Sequence, residues 1–216
     1  MSKIEFEPTD NQVGCFIYTD LQEVKKDQIV EIKKLLDRYG VLFFKNQDLS
    51  AEQYVNFSTN FGIPAKYPML KPHKNFKDIY VIERKKTDTG KSFGEGPHTD
   101  SSYLENPPKF TFLQAIDVPE EGKGNTLFYN QFLAYEALPK DIKQKIENLK
   151  GVFSSQGKIA QTRELRMADH GTIGTKEIKS EHNLVQLING RKTIYCSPGH
   201  VVGIVNLSSE QEKLIN

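Results

Sequence analysis

Tryptophan is absent from this chain, and cysteine and methionine are scarce, with 0, 2 and 3 in 216 residues. The two thiols, Cys15 and Cys196, are too few for a scaffold built on disulfides, and no Cys-x-x-Cys pair is present to found a zinc ribbon. Long apolar runs are lacking too: none approaches the ~18 residues that a membrane span requires. The opening residues, Met1 to Glu7, carry no apolar stretch of the secretory kind, so a reduced, cytoplasmic protein is expected. An excess of charge of one sign is missing as well. Lys+Arg is 29 and Asp+Glu is 28, a net charge of +1, which argues against a dedicated nucleic-acid binder. No repeat, low-complexity tract or Gly/Ser/Pro linker divides the chain, so residues 1–216 read as a single domain.

What the chain does have is aromatic bulk. Its 13 Phe and 9 Tyr supply large packing groups for a core. Residues 21–39 place Ile29, Ile32, Leu35, Leu36 and Tyr39 at helical spacing, and Gly40 follows as a natural stop. Val41 to Phe44 is a short apolar run of strand type. Ser50 with Gln53 three residues on forms a capping-box pattern, opening a second helix that carries Tyr54, Phe57 and Phe61 and closes at Gly62. Further strands are expected over 78–83, 110–118, 184–188 and 193–196, the last two joined by the hairpin signal Asn189-Gly190. Two short helices are expected over 132–138 and 141–149, and 85–108 reads as a long loop of the kind that carries function. The sum is a mainly β chain with peripheral helices, a sandwich or barrel.

Five His are present, at positions 73, 98, 170, 182 and 200. One has an informative setting, Phe93-Gly94-Glu95-Gly96-Pro97-His98-Thr99-Asp100. In an extended segment residues i and i+2 share a face, so His98 and Asp100 aim an imidazole and a carboxylate at one point. That is two-thirds of the 2-His-1-carboxylate set that holds non-haem Fe(II) with open positions. On spacing alone, a surface hydrogen bond between the two is the commoner arrangement.

The surroundings of this pair change its meaning. From Phe93 to Leu138 the chain runs through His98-Thr99-Asp100, the Pro107-Pro108 step, a strand-like stretch, a Gly-rich turn into Gly124-Asn125-Thr126-Leu127-Phe128, and Ala134-Tyr135-Glu136-Ala137-Leu138. This order closely resembles the TauD/TfdA family of Fe(II)- and 2-oxoglutarate-dependent dioxygenases. Val41–Gly62 (VLFFKNQDLSAEQYVNFSTNFG) resembles the family's N-terminal segment, and Gly190–Ile215 (GRKTIYCSPGHVVGIVNLSSEQEKLI) a later one. The resemblance implies a double-stranded β-helix, a distorted jelly roll with helices outside. It implies that His98 and Asp100 are iron ligands and that Thr126 hydrogen-bonds the 2-oxoglutarate carboxylate. The implied reaction consumes 2-oxoglutarate and O₂, releases succinate and CO₂, and hydroxylates a small-molecule substrate, with neither a nucleic acid nor a membrane as partner. The oligomeric state is left open, a homo-oligomer included.

The family's second His ligand and its 2-oxoglutarate-binding Arg fall beyond Asn216 in this alignment, so a C-terminally truncated chain is expected, ending within a helix begun at Ser208. For His170, His182 and His200 a role away from the metal is expected. Taurine dioxygenases place a His and a Tyr just after the Phe-Gly that ends the second helix. Phe61-Gly62 puts Tyr67 and Leu70 there instead, so the sulfonate pattern is not matched. Tyr67 stays a candidate substrate contact, Arg163 and Arg166 are candidate lid cations, and the expected substrate is a small organic acid. Two other readings remain: a non-catalytic β-sandwich binding module that keeps the fold without the third ligand, and a metal-dependent hydrolase or isomerase on a cupin-like barrel. No Gly-x-Ser-x-Gly nucleophile motif supports hydrolysis.

Overall fold

The computed structural model describes residues 4–11, 13–89, 91–120, 122–162 and 176–207. The expected helix at Ser208, the Arg163/Arg166 pair and His170 all lie outside these residues. The chain divides into two compact units, Met1–Pro64 with Phe112–Asn130, and Ala65–Thr111 with Gln131–Asn216.

The first unit is built on a three-stranded sheet of β1 (Phe6–Pro8), β2 (Cys15–Ile17) and β3 (Leu42–Phe44), with β2 central. β1 and β2 run antiparallel, whereas β2 and β3 run parallel because helix α1 (Lys26–Tyr39) returns the chain between them. α1 forms where the apolar spacing predicts it, with Ile29, Ile32, Leu35 and Tyr39 buried. It starts five residues later than expected. Residues 20–23 instead make turns, in which Asp20 accepts the Gln22 N–H and Gln47 Oε1 accepts the Leu21 N–H. Gly14 sits at φ +111°, and a Cβ there would stand 2.6 Å from the Phe43 ring, so only glycine lets the chain approach β3 at this point. Helix α2 (Ala51–Thr59) begins at the Ser50 cap, as the capping-box pattern predicts. Its Phe57 packs with Phe44, Phe61 and Phe112.

The second unit centres on β4 (Lys150–Ser154), flanked antiparallel by β5 (Lys179–Asn183) and β8 (Val201–Ile204). β6 (Val185–Ile188) and β7 (Arg191–Ile194) form the expected hairpin, and Asn189 and Gly190 both take positive φ, 49° and 77°. Helices α3 (Gln131–Ala137) and α4 (Lys140–Ile146) lie within two or three residues of their expected bounds. Arg191 of β7 pairs with Glu136 of α3 at 3.0 Å and lies over the Phe132 ring. Met69, Tyr103 and Phe153 are the buried apolar centre.

Two expected strands do not form. Over 110–115 the side chains do alternate, with Phe110, Phe112 and Gln114 half-buried and Thr111, Leu113 and Ala115 exposed. Alternation is a property of the backbone, but a strand also needs a neighbour to take its N–H and C=O groups. Among the described residues none pairs with this stretch or with 78–83. The Phe112 carbonyl instead accepts the Tyr54 hydroxyl at 2.7 Å, and the Gln114 amide donates to the Leu49 carbonyl.

Two stability predictions follow from the first unit. Ile32 is 1% exposed and Val30 54%. Ile32→Ala is expected to cost roughly 2–5 kcal/mol in denaturant unfolding, whereas Val30→Ala stays within about 0.5 kcal/mol. Ser50 Oγ accepts the Gln53 N–H, and the Gln53 side chain accepts the Ser50 N–H at 2.8 Å. Ser50→Ala is expected to cost about 1 kcal/mol, and Ser50→Asp to recover most of it.

Candidate metal centre

His98 and Asp100 lie in the second unit on a stretch with no regular secondary structure. The structure brings them together as the i, i+2 spacing predicts, with His98 Nε2 3.2 Å from Asp100 Oδ1. The far atom of each group is occupied. His98 Nδ1 lies 2.8 Å from the Gly96 carbonyl, which can only accept, so Nδ1 carries the proton there. Asp100 Oδ2 accepts the Thr111 hydroxyl at 2.9 Å. The remaining pair, Nε2 and Oδ1, are both lone-pair atoms when the imidazole is neutral and the carboxylate ionised. Two such atoms face each other at this distance only with a positive charge between them.

Hydrogen bonding to Asp100 pushes the His98 imidazole above its usual range against the opposing effect of burial, helped by the Gly96 carbonyl. His98 in turn holds the Asp100 carboxyl below its usual range against the opposing effect of burial, with smaller help from Thr111. A metal ion fits the same place. With imidazole and carboxylate bonds of about 2.0–2.2 Å, adjacent ligand atoms stand about 3 Å apart. An Nδ1–H bound to a backbone carbonyl is the usual way a ligating His is held in its tautomer.

The pair opens on a small cleft whose walls include Tyr67, Phe93, Ile159, Thr162 and His200. Tyr67, singled out from sequence, thus shares the cleft with His98 and Asp100. Its N–H donates to the Tyr80 hydroxyl at 2.9 Å, and the two rings meet edge to face. The Thr162 hydroxyl donates to the Ile159 carbonyl and accepts the Gly94 N–H. Thr126 belongs to the first unit, exposed and just past the turn made by Gly122 and Gly124.

The other described His have packing roles. His182 packs edge to face against both the Phe153 and Tyr195 rings and donates to the Leu104 carbonyl at 3.0 Å. His73 accepts the Asn75 N–H in a turn. His200, 5% exposed, packs against Tyr103 with its ring centre 6.4 Å from that of His98, and its Nδ1 lies 3.2 Å from the Ser154 carbonyl. Among the described residues no group of three or more His, Cys, Asp or Glu is placed to hold a metal. Cys15 and Cys196 are free thiols. Sequence reasoning missed Thr111 and His200 as neighbours of the pair, since neither sits in a motif that announces it.

No described helix is long and apolar enough to cross a membrane. Comparison with known proteins bears on the whole chain. The yeast Saccharomyces cerevisiae alpha-ketoglutarate-dependent sulfonate dioxygenase is 28% identical over 211 residues, covering 92% of this chain and 49% of that protein. The alpha-ketoglutarate-dependent 2,4-dichlorophenoxyacetate dioxygenase of Cupriavidus pinatubonensis is 32% identical over 147 residues, covering 61% of this chain and 51% of that protein. The chain thus spans about half the length of these curated relatives. Among solved structures, a putative alpha-ketoglutarate-dependent taurine dioxygenase from Burkholderia xenovorans superposes with a TM-score of 0.73 at 25% identity, covering 99% of this chain and 73% of that one. A taurine dioxygenase from the same organism gives 0.71 at 26%, covering 98% and 70%. The fold is accordingly that of the TauD-like jelly rolls. The family described as taurine catabolism dioxygenase TauD, TfdA matches residues 5–215, and the chain belongs to it.

Proposed function

We propose that this chain is the site-bearing part of an Fe(II)- and 2-oxoglutarate-dependent dioxygenase that hydroxylates a small organic acid. The observation that carries the reading is the pair of lone-pair atoms, His98 Nε2 and Asp100 Oδ1, held 3.2 Å apart at the mouth of a cleft. The names of the related enzymes support it, since both curated relatives are described as alpha-ketoglutarate-dependent. Iron, when bound, supplies the oxygen chemistry: substrate C–H, 2-oxoglutarate and O₂ become substrate C–OH, succinate and CO₂.

The chain's own residues do the holding. Nε2 and Oδ1 would hold the metal, with Gly96 and Thr111 fixing the far side of each ligand. Thr126 donates its hydroxyl to a 2-oxoglutarate carboxylate. Tyr67, Phe93 and Ile159 surround the substrate and keep water from it. We read the two units as parts of one TauD/TfdA-like domain, because the family match runs through both.

A binding module without catalysis is the second reading. Turnover separates the two. With Fe(II), 2-oxoglutarate, oxygen and an organic-acid substrate the dioxygenase reading expects succinate and hydroxylated product in equal amounts, and a chain that binds iron and 2-oxoglutarate without forming them is a binding module.

Two variants test the assigned roles. His98→Ala is expected to weaken Fe(II) or Mn(II) binding by about 100-fold or more in titration calorimetry, and undiminished affinity refutes the ligand role. Thr126→Val is expected to weaken 2-oxoglutarate binding by about 1–3 kcal/mol at constant metal affinity. Equal affinity for the two proteins removes Thr126 from the site.

A further inference from the structure

The His98–Asp100 stretch belongs to no strand, so no ladder of sheet hydrogen bonds sets its course. Its backbone is nonetheless tied on both sides of His98, and both ties lead to one short turn between β7 and β8. The Thr99 N–H donates to Ser197 Oγ at 3.0 Å. The Pro97 carbonyl accepts the Gly199 N–H at 3.1 Å. The turn is itself fastened: the Ser197 carbonyl accepts the N–H groups of His200 and Val201, and the Gly199 carbonyl accepts that of Ile159. Ser197 is 1% exposed, so its hydroxyl acts away from competing water.

Packing tightens the same place. A Cβ on Gly199 would stand 3.0 Å from the His98 Cβ, 3.0 Å from the Ile159 Cβ and 3.2 Å from the Pro97 carbonyl. Such spacing leaves no room for a methyl group without moving a neighbour, and the root of the His98 side chain is one of those neighbours.

From this geometry, and resting on the reading of His98 and Asp100 as metal ligands, we infer that Ser197 and Gly199 are positioning residues of the metal centre. The Ser197 hydroxyl stands in for the missing strand partner. Together with the bare Gly199 backbone it holds residues 97–99 on a course that keeps Nε2 and Oδ1 at ligand spacing. Neither residue touches the metal or the substrate. Loss of either lets the loop relax, and the two donors no longer converge.

The test uses the full chain and Co(II), whose visible absorption reports ligand geometry as well as affinity. Wild type, His98→Ala, Ser197→Ala, Ser197→Thr and Gly199→Ala are titrated with Co(II) at a temperature where each metal-free protein is folded by circular dichroism. The expected result is Co(II) binding by wild type and its loss in His98→Ala. Ser197→Ala should bind about tenfold or more weakly with a shifted spectrum. Ser197→Thr, which keeps the acceptor, should recover the wild-type spectrum. A purely structural role for Ser197 lowers the unfolding midpoint and leaves affinity and spectrum at the wild-type values, and that outcome overturns the inference. If Ser197→Ala does not fold, Gly199→Ala decides by the same criterion. Co(II) binding that survives His98→Ala overturns the metal-centre reading, and with it this one. That failure differs from the first, because there His98→Ala still abolishes binding.

Discussion

Two lone-pair atoms facing each other at 3.2 Å need a positive charge between them, and the candidate site depends on that need. The chain meets it by first occupying the other end of each group. The Gly96 carbonyl accepts a hydrogen bond from His98 Nδ1, and the Thr111 hydroxyl donates one to the second oxygen of Asp100. Each side chain is left with one further atom, and these two atoms face each other. Their mutual hydrogen bond pushes the His98 imidazole above its usual range and the Asp100 carboxyl below its own. A divalent cation answers the same electrostatic demand with ligand bonds.

This arrangement is set by the packing of the second unit more than by its local chain. The pair rides on a loop, and loops hold geometry only when something rigid holds them. Here the rigid part is the sheet around β4, with Phe153, Tyr103 and Met69 buried beside it. The turn leading into β8 carries that rigidity to the loop through Ser197 and Gly199. The first unit has its own apolar centre, gathered from α1, β2 and β3, and its stability follows from the burial of that helix face.

Much of the outline could be read from residue spacing. The α1 face, the Ser50–Gln53 capping box and the Asn189-Gly190 hairpin are local patterns, and each appears in the structure. The strands β1, β2, β4, β5 and β8 could not be read so. Three residues such as Phe6–Pro8 are too few to show a period, and Lys179–Asn183 is polar along its length. The opposite error arose at 110–118, where alternation is present without a ladder partner among the described residues.

The i, i+2 spacing by itself marked His98 and Asp100 as a pair able to face one point, because an extended chain repeats its direction every two residues. The ordered motifs of the sequence also carried the resemblance to the TauD/TfdA family. Only the tertiary structure decided what surrounds the pair. Ser197 lies 98 positions from Thr99, and no periodicity or motif joins residues so far apart. The same holds for the cleft that gathers Tyr67, Ile159 and His200 around the two candidate ligands. Local patterns fix directions within an element, whereas contacts between distant elements are settled by packing, where shape and hydrogen-bond satisfaction are decided together.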